Sequence, residues 1–260
     1  MAVSSPLGTS PALDSPAAGY RAALRRLADA QKRNRRGPAY SVWINRRLGR
    51  FAAAGAYVLG LTPNMVTGIS AAFSAAGVVL IAFGSTWPAA IGAALLLVIG
   101  YLLDSADGQL ARLRGGGSLV GEWLDHMIDS VKVAALHLAV LITLYRNFDL
   151  HPLWFAVPIV FTVVSSVHFF GMILVDLLAR VRRASVGLPT PPLAPTDRVK
   201  TLLKLPTDYG IFCLVFLLLG WHSGFLAVYT FFAVATAGYT LLVIGKWRRD
   251  VVALDALGRG

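Results

Sequence analysis

The hydrophobic positions of this chain fall in long apolar blocks, and charged residues gather between the blocks. The blocks lie at 63–85, 87–103, 118–145, 151–175 and 209–245. A helix that crosses a bilayer needs about 20 predominantly apolar residues, so the first four blocks each predict one span. The last block is too long for one span, and Trp-His-Ser-Gly at 221–224 is a natural turn inside it. The pattern therefore predicts an all-α polytopic membrane protein with six transmembrane helices.

A different pattern precedes the first span. Over residues 39–60, apolar side chains recur at helical spacing and arginines fall on the other side, which predicts an amphipathic helix in the headgroup region. The apolar residues are Trp43, Ile44, Leu48 and Phe51. The alternative is a soluble helix packed on a neighbouring element.

The remaining parts of the chain complete the predicted domain organisation. Residues 1–38 are rich in Ala, Pro, Ser and Arg, which predicts a mostly disordered basic cytoplasmic arm that can hold a short helix near 19–32. The six-helix domain is expected over 61–249, and 250–260 is expected to be a C-terminal tail.

Composition and charge support a membrane protein over a soluble one. Hydrophobic residues make up 56% of the chain and charged residues only 14%, against about 25% charged in soluble domains. The net charge of +11 comes from Lys and Arg beside alternate ends of the spans. By the positive-inside rule, both termini are expected to be cytoplasmic, in the plasma membrane. We expect no nucleic-acid partner, because no recognition module accompanies the charge.

Acidic residues are scarce and concentrated in one place. Five of the 13 fall in residues 104–129, at the ends of two neighbouring predicted spans. Ionisable groups at membrane depth are costly, so they indicate a functional site. Asp104 and Asp107 share one helical face, and Asp125 and Asp129 share another. A Gly-rich connection at 115–117 lets the helices return antiparallel, so all four carboxylates are expected to converge near the cytoplasmic interface.

Four adjacent carboxylates need compensation, either by protonation or by bound cations. Oxygen ligands without His or Cys suit Mg²⁺ or Mn²⁺, and two such ions about 3.5–4 Å apart are usual where phosphate oxygens are handled. Small residues at Gly108, Ala111 and Gly121 leave room for a ligand to approach the helix backbones. The guanidinium of Arg112 suits a phosphate. The pattern thus favours a metal site that handles phosphate.

The same residues resemble a known signature. In type and spacing, eight positions match the signature of the CDP-alcohol phosphatidyltransferase family: Asp104, Asp107, Gly108, Ala111, Arg112, Gly121, Asp125 and Asp129. The segment 62–67, Thr-Pro-Asn-Met-Val-Thr, also resembles the start of the first helix of the family. With the six-helix pattern, the resemblance extends over about residues 39–249.

The resemblance implies a transferase of phospholipid biosynthesis that displaces CMP from a CDP-linked donor, usually CDP-diacylglycerol, with an alcohol acceptor. It implies that Asp104, Asp107 and Asp125 are metal ligands and that Asp129 is both a ligand and the general base. It also implies a homodimer. The donor-nucleotide site would be formed by Gly108, Ala111, Arg112, Gly121, Ser118, Asn64 and Thr67. The acceptor stays open between inositol phosphate, glycerol 3-phosphate, another polyol phosphate and a lipid hydroxyl.

Basic residues are the candidates for the acceptor site. Lys132 can bind an acceptor phosphate or, equally, neutralise the carboxylates. The connection at 179–206 adds Arg180, Arg183, Lys200 and Lys204, each of which the positive-inside rule also explains. Asp176 and Asp208 are possible partners for these cations.

Other polar residues near or within the spans have simpler interpretations. Glu122 is either an outer partner of the carboxylate site or a snorkelling surface group. His137 and His168 lie within spans, where hydrogen-bonded core roles are expected.

Two other classes of function compete with the transferase. A cation transporter could use the Asp cluster, but it leaves the spacing of Gly108, Ala111, Arg112 and Gly121 unexplained, and the chain shows no inverted repeat of broken helices. A catalytically inactive membrane scaffold is disfavoured by the intact set of four Asp residues.

Overall fold

A computed structural model of the protein describes residues 16–33, 38–189 and 205–257, and almost all of these residues are helical. None of them forms a strand, which confirms the all-α prediction. The helices are α1 (Pro16–Arg33), α2 (Arg46–Val58), α3 (Pro63–Phe83), α4 (Trp87–Leu113), α5 (Leu119–Asn147), α6 (Ala156–Ser185), α7 (Tyr209–Val215) and α8 (His222–Ala256). A π-helical turn, Ser41–Asn45, leads into α2, and 3₁₀ turns at Pro152–Phe155, Leu205–Thr207 and Phe216–Gly220 adjoin α6, α7 and α8.

Within the described residues, five helices are long and apolar enough to cross a bilayer: α3, α4, α5, α6 and α8. The remaining predicted span is a shorter apolar segment, Tyr209–Gly220, made of α7 and the 3₁₀ turn that follows it. At the rises of α and 3₁₀ helices this segment is about 20 Å long, whereas the hydrocarbon core is about 30 Å thick. The helical segment ends at Gly220, Trp221 lies inside the predicted turn, and α8 begins at His222.

Local sequence signals set the start of α5 beside the end of α4. Gly115 and Gly116 have φ values of +100° and +135°, which glycine adopts without steric strain. The N–H of Gly116 donates to the carbonyl of Ala111 at 2.9 Å and closes the end of α4. Ser118 then caps α5, because its Oγ accepts the N–H of Gly121 at 3.0 Å. The predicted glycine-rich return between the two helices is therefore confirmed.

Small residues bring α3 and α4 into close contact. Ser70 Oγ donates to the carbonyl of Gly100 at 2.8 Å. A Cβ on Gly100 would overlap Ser74 Oγ, and a Cβ on Gly77 would lie 3.0 Å from Leu97 Cδ2. Close backbone approach of this kind is how helices associate in lipid, where apolar side chains gain little from leaving one apolar medium for another. α4 also packs against α2 and α7, so it is the central helix of this group.

The N-terminal helix α1 packs against α2 and α4, within the arm for which little structure was expected. In α1, Ala23 and Leu27 are buried on one face, and Arg26 Nη2 donates to the carbonyl of Leu113 at 3.3 Å. This apolar stripe gives α1 a docking surface, and Pro16–Arg33 extends the short helix that the sequence allowed near 19–32. Residues 1–15 and 34–37 of that arm lie outside the described residues.

The segment expected to be an interfacial helix divides its two faces as an amphipathic helix does. Gly49 and Ala53 are buried, and a Cβ on Gly49 would lie 3.1 Å from Ser105 Oγ of α4. On the other face four large apolar side chains are about half exposed, with fractions of 50% for Trp43, 44% for Ile44, 48% for Leu48 and 44% for Phe51. This exposed apolar face is free to contact lipid.

The C-terminal tail continues the last helix. α8 runs without interruption to Ala256, past the boundary expected at residue 249. Arg182 Nε of α6 donates to the carbonyl of Leu254 at 3.2 Å, so the two helices remain in contact at this end.

The two membrane histidines form interhelical hydrogen bonds. His137 Nδ1 lies 2.9 Å from Tyr229 Oη, and His137 Nε2 lies 3.0 Å from Ser165 Oγ. His168 Nδ1 lies 3.1 Å from Thr240 Oγ1. The prediction of hydrogen-bonded core histidines is confirmed.

Asp208, predicted as a partner for the basic residues of 179–206, accepts backbone N–H groups at the start of α7. Its carboxylate is fully buried and accepts the backbone N–H groups of Tyr40 at 2.8 Å and Gly210 at 3.2 Å. It thereby caps α7 and ties the chain before α2 to it. Burial raises the pKa of the Asp208 carboxyl, and the backbone donors act against that rise. A cap is formed here because the N-terminus of α7 offers unpaired donors to the residue just before it.

Gly100→Val should push α3 and α4 apart, because a side chain there meets Ser74 and the carbonyl of Ser70. Overpacking of this kind costs about 1–3 kcal/mol, so the thermal unfolding temperature of the detergent-purified protein should fall. Gly238→Val on α8 is the control, because its Cβ position faces open space. Equal unfolding temperatures for the two variants would contradict the close α3–α4 contact.

Candidate active site

Carboxylates from two consecutive helices come together. Asp104 lies nine residues before the end of α4 at Leu113, and Asp125 and Asp129 lie six and ten residues after the start of α5 at Leu119. One ligand oxygen from each of these three residues lies within 4.8 Å of the others. A set of partly buried carboxylate oxygens fits a hard divalent cation such as Mg²⁺ or Mn²⁺. We refer to these three residues as the carboxylate cluster.

The ammonium of Lys132 lies against the carboxylate cluster. Lys132 Nζ is 2.6 Å from Asp104 Oδ1 and 2.6 Å from Asp129 Oδ1, and the lysine side chain is only 11% exposed. The pair with Asp129 follows from i, i+3 spacing on α5, whereas the pair with Asp104 bridges two helices. These contacts are those expected if Lys132 neutralises the carboxylates, while binding of an acceptor phosphate by Lys132 stays a prediction.

Asp107 is placed apart from the carboxylate cluster. It is one turn after Asp104 on α4, and only 7% of it is exposed. Its Oδ2 accepts a hydrogen bond from Thr67 Oγ1 of α3 at 2.6 Å. Thr67, expected at the nucleotide site, is thus a partner that fixes the orientation of Asp107. Three of the four signature carboxylates therefore converge closely, and the fourth is held by α3.

The signature residues that follow Asp107 occupy the last turns of α4. Gly108 and Ala111 are half-buried, and Arg112 is exposed. Arg112 Nη1 lies 3.8 Å from the position that a Cβ on Gly108 would take. The absence of a side chain at Gly108 therefore leaves space beside a guanidinium, next to the buried Asp107.

The other nucleotide-site candidates meet where α3 and α5 begin. A Cβ on Gly121 would lie 3.2 Å from Asn64 Oδ1 and 3.2 Å from Ser118 Oγ. The three residues form a small polar group in which Gly121 keeps the two helix starts close. Ser118 already serves as the N-cap of α5.

The acceptor-site candidates are only partly brought together. Arg180 of α6 pairs with Glu122 Oε1 at 2.6 Å and with Asp176 Oδ2 at 3.1 Å, on the exposed surface. Glu122 is therefore the partner of a surface arginine, and the predicted pairing of Asp176 is confirmed. Arg183 lies near the end of α6, one turn after Arg180. Lys200 and Lys204 lie outside the described residues.

An apolar groove runs between α5 and α6 beside the carboxylate cluster. Its volume is about 580 Å³, and its lining includes Trp123, Met127, Phe170 and Leu177, with Glu122 at its polar rim. Asp125 and Asp129 lie on an adjacent face of the same helix. The site is therefore polar on one side of α5 and apolar on the other.

Three tyrosines that the sequence pattern did not indicate, Tyr40, Tyr101 and Tyr209, form an aromatic group beside the carboxylate-bearing face of α4. Tyr101 is one turn before Asp104, and its ring centroid lies 5.1 Å from that of Tyr209 and 6.3 Å from that of Tyr40. The spacing of Tyr101 from Asp104 could have indicated a shared face. The other two rings come from distant parts of the chain, so no local pattern connects them.

Comparisons with known proteins agree with this architecture. The sequence profile of the CDP-alcohol phosphatidyltransferase family matches residues 60–243. Phosphatidylinositol phosphate synthase (PgsA1) of Mycobacterium tuberculosis, in complex with manganese and citrate, is 23% identical over 75% of this chain and 87% of that chain, with a TM-score of 0.50. Its structure with CDP-DAG bound is 21% identical over 78% and 93% of the two chains, with a TM-score of 0.49. A comparison with curated proteins finds no match.

Thr67→Val should destabilise the protein, because it removes the hydrogen bond from α3 to the buried Asp107 carboxylate. A buried acceptor left without a donor costs about 1–3 kcal/mol. Thr67→Ser keeps the hydroxyl and is the control. Chemical or thermal unfolding in detergent measures both variants, and a loss of stability that Ser does not restore would contradict this role of the hydroxyl.

Proposed function

Because the chain belongs to the CDP-alcohol phosphatidyltransferase family, we propose that it transfers the phosphatidyl group of CDP-diacylglycerol to an alcohol acceptor and releases CMP. The observation that carries this proposal is the convergence of Asp104, Asp125 and Asp129 from two helices. These residues are three of the metal-ligand positions that the family signature implies. A carboxylate site that binds divalent cations, with Arg112 and the glycine gap at Gly108 further along α4, suits a metal-bound pyrophosphate.

The carboxylate cluster, with Asp107, would hold two divalent cations, Mg²⁺ or Mn²⁺. Such ions neutralise the pyrophosphate and stabilise CMP as the leaving group. The oxygen-only donor set fits this role. Thr67 contributes by holding Asp107 in one orientation, and the short turn after α4 keeps the carboxylates of the two helices facing each other.

Asp129 is the proposed general base. It accepts the proton of the acceptor hydroxyl while the hydroxyl oxygen bonds to the phosphorus that carries the diacylglycerol. The bond from that phosphorus to the oxygen shared with the CMP phosphate breaks, and CMP leaves with the electron pair. A carboxylate is a weak base at neutral pH, so its contribution depends on being positioned against the hydroxyl.

The donor nucleotide is proposed to lie between the end of α4 and the starts of α3 and α5. Arg112 can donate two parallel hydrogen bonds to a phosphate, and Gly108 leaves the space that such a ligand needs. Ala111 would line this space, and the small polar group formed by Gly121, Asn64 and Ser118 would bound its other side. The close packing of these residues supports this placement.

The position of the site at the ends of membrane helices suits a lipid donor and a polar acceptor. The acyl chains of the donor can stay in lipid, where the apolar groove between α5 and α6 offers them a surface.

We propose a plasma-membrane protein whose termini and site are cytoplasmic. We also propose a homodimer and a phosphorylated polyol acceptor, inositol phosphate or glycerol 3-phosphate. Its phosphate would be bound by basic residues from Arg180, Arg183, Lys132, Lys200 and Lys204.

The reaction is tested by CMP release from purified protein with CDP-diacylglycerol and Mg²⁺ or Mn²⁺, with one acceptor added at a time. We expect release with one acceptor and its loss when the divalent cation is chelated. Ion flux through proteoliposomes without any CMP release would favour a cation transporter instead. Failure to bind CDP-diacylglycerol would contradict the proposed reaction.

Asp129→Asn should lower the rate of CMP release by about 10²–10⁴-fold, the usual contribution of general-base catalysis. Binding of CDP-diacylglycerol should be largely retained, because the amide keeps the size and one oxygen of the carboxylate. Asp250→Asn is the matched control, since Asp250 pairs with Lys246 on the exposed surface of α8. Normal turnover by Asp129→Asn would rule out the general-base assignment.

A further inference from the structure

The Lys132 ammonium pairs with two of the three carboxylates that the cluster would offer to a cation. It contacts one oxygen of Asp104 and one of Asp129, both at 2.6 Å. Those two residues also supply two of the three oxygens that approach within 4.8 Å of one another. Lysine therefore engages the same carboxylates that the cluster offers to a metal.

Burial makes this overlap energetically important. Lys132 is 11% exposed, Asp104 19% and Asp129 28%, so water screens the charges only weakly. Three carboxylates with one ammonium carry a formal charge of −2, which leaves an attraction for a divalent cation. A second cation placed beside an ammonium in so small a space would be strongly repelled. The carboxylate cluster can bind the Lys132 ammonium or a divalent cation, but binding both at once is electrostatically unfavourable.

The geometry of lysine suits a temporary occupant. An ammonium is a single point charge on a flexible four-carbon chain, and its hydrogen bonds impose little directional demand on its partners. Lys132 is fixed to α5 only through its backbone, so its side chain can leave the carboxylates without any movement of the helix. Asp104 and Asp129 are on two different helices, and the ammonium keeps these helices together while no metal is present.

We propose that Lys132 is an exchangeable internal counter-ion. Its ammonium neutralises the carboxylate cluster in the metal-free protein and is displaced when a divalent cation binds. This inference rests on the proposed function of the cluster as a cation site. Displacement also removes the ammonium from Asp129, so this carboxylate becomes free to accept a hydrogen bond from an acceptor hydroxyl only once the site is loaded.

The proposal predicts that Lys132→Met binds Mn²⁺ more tightly than the unsubstituted protein. Removing a like charge from the site should lower the dissociation constant by about tenfold or more. Isothermal titration calorimetry of the detergent-purified full chain with MnCl₂, without substrate, measures this directly. Lys246→Met is the matched control, because Lys246 pairs with Asp250 on an exposed face and should leave Mn²⁺ affinity unchanged.

The outcomes of the titration separate this proposal from the proposed function. Unchanged or weaker Mn²⁺ binding by Lys132→Met would overturn the exchange, while binding by the unsubstituted protein would still support a metal-dependent enzyme. Absence of Mn²⁺ binding in both proteins would contradict the cation site itself.

A measurement on the unsubstituted chain tests the exchange without depending on the folding of a variant. An amine-reactive reagent labels lysines according to their accessibility, and mass spectrometry of the digested protein gives the extent at each site. We expect Lys132 to be poorly labelled without metal and labelled severalfold more at saturating Mg²⁺, while Lys246 stays constant. Protection of Lys132 that persists at saturating Mg²⁺ would overturn the proposal.

Discussion

The carboxylates on α4 and α5 require compensating partners, and this requirement determines how the helices around them pack. An ionised group removed from water is stable only when it is paired or hydrogen-bonded. The protein meets this requirement with partners from other helices. Lys132 on α5 reaches Asp104 on α4, and Thr67 on α3 donates to Asp107. The same interactions that make the charges tolerable therefore fix α3, α4 and α5 relative to one another.

Backbone packing makes these side-chain contacts possible. The close approach at Gly77 and Gly100 sets the distance between α3 and α4, and so places Thr67 within hydrogen-bond reach of Asp107. The turn at Gly115 and Gly116 performs the same function between α4 and α5. A substrate site built on rigid helices holds its ligands more precisely than one built on loops. This explains why glycine and serine occupy positions in which larger apolar residues would bury more surface.

The parts of the molecule around the site connect it to the membrane surface. α2 turns its small residues to α4 and its large apolar residues outward. Asp208 ties the start of this segment to α7 by accepting the N–H of Tyr40, beside the aromatic group of Tyr40, Tyr101 and Tyr209. A phosphatidyl donor would approach such a site from the lipid and a polar acceptor from the water. The division of α5 into a polar and an apolar face fits both requirements.

Local sequence patterns are enough to predict the membrane class, the long spans and the residues proposed for the site. Hydropathy predicts spans because a helix must be apolar over the thickness of the hydrocarbon core. Helical periodicity predicts which of Asp104, Asp107, Asp125 and Asp129 share a face. Both are local properties, so one chain is enough to reveal them. The glycine-rich turn at 115–117 was readable for the same reason.

The partner of each charged side chain depends on how the helices pack. Local sequence patterns left open which protein groups contact Lys132, Thr67 and Asp208. In the structure they pair with Asp104 and Asp129, with Asp107, and with the backbone N–H groups of Tyr40 and Gly210. The docking of α1 on neighbouring helices and the short length of Tyr209–Gly220 were likewise not predicted. These outcomes depend on contacts between residues far apart in the chain, and the packing of helices, rather than any local spacing, selects among the partners that a charge could have.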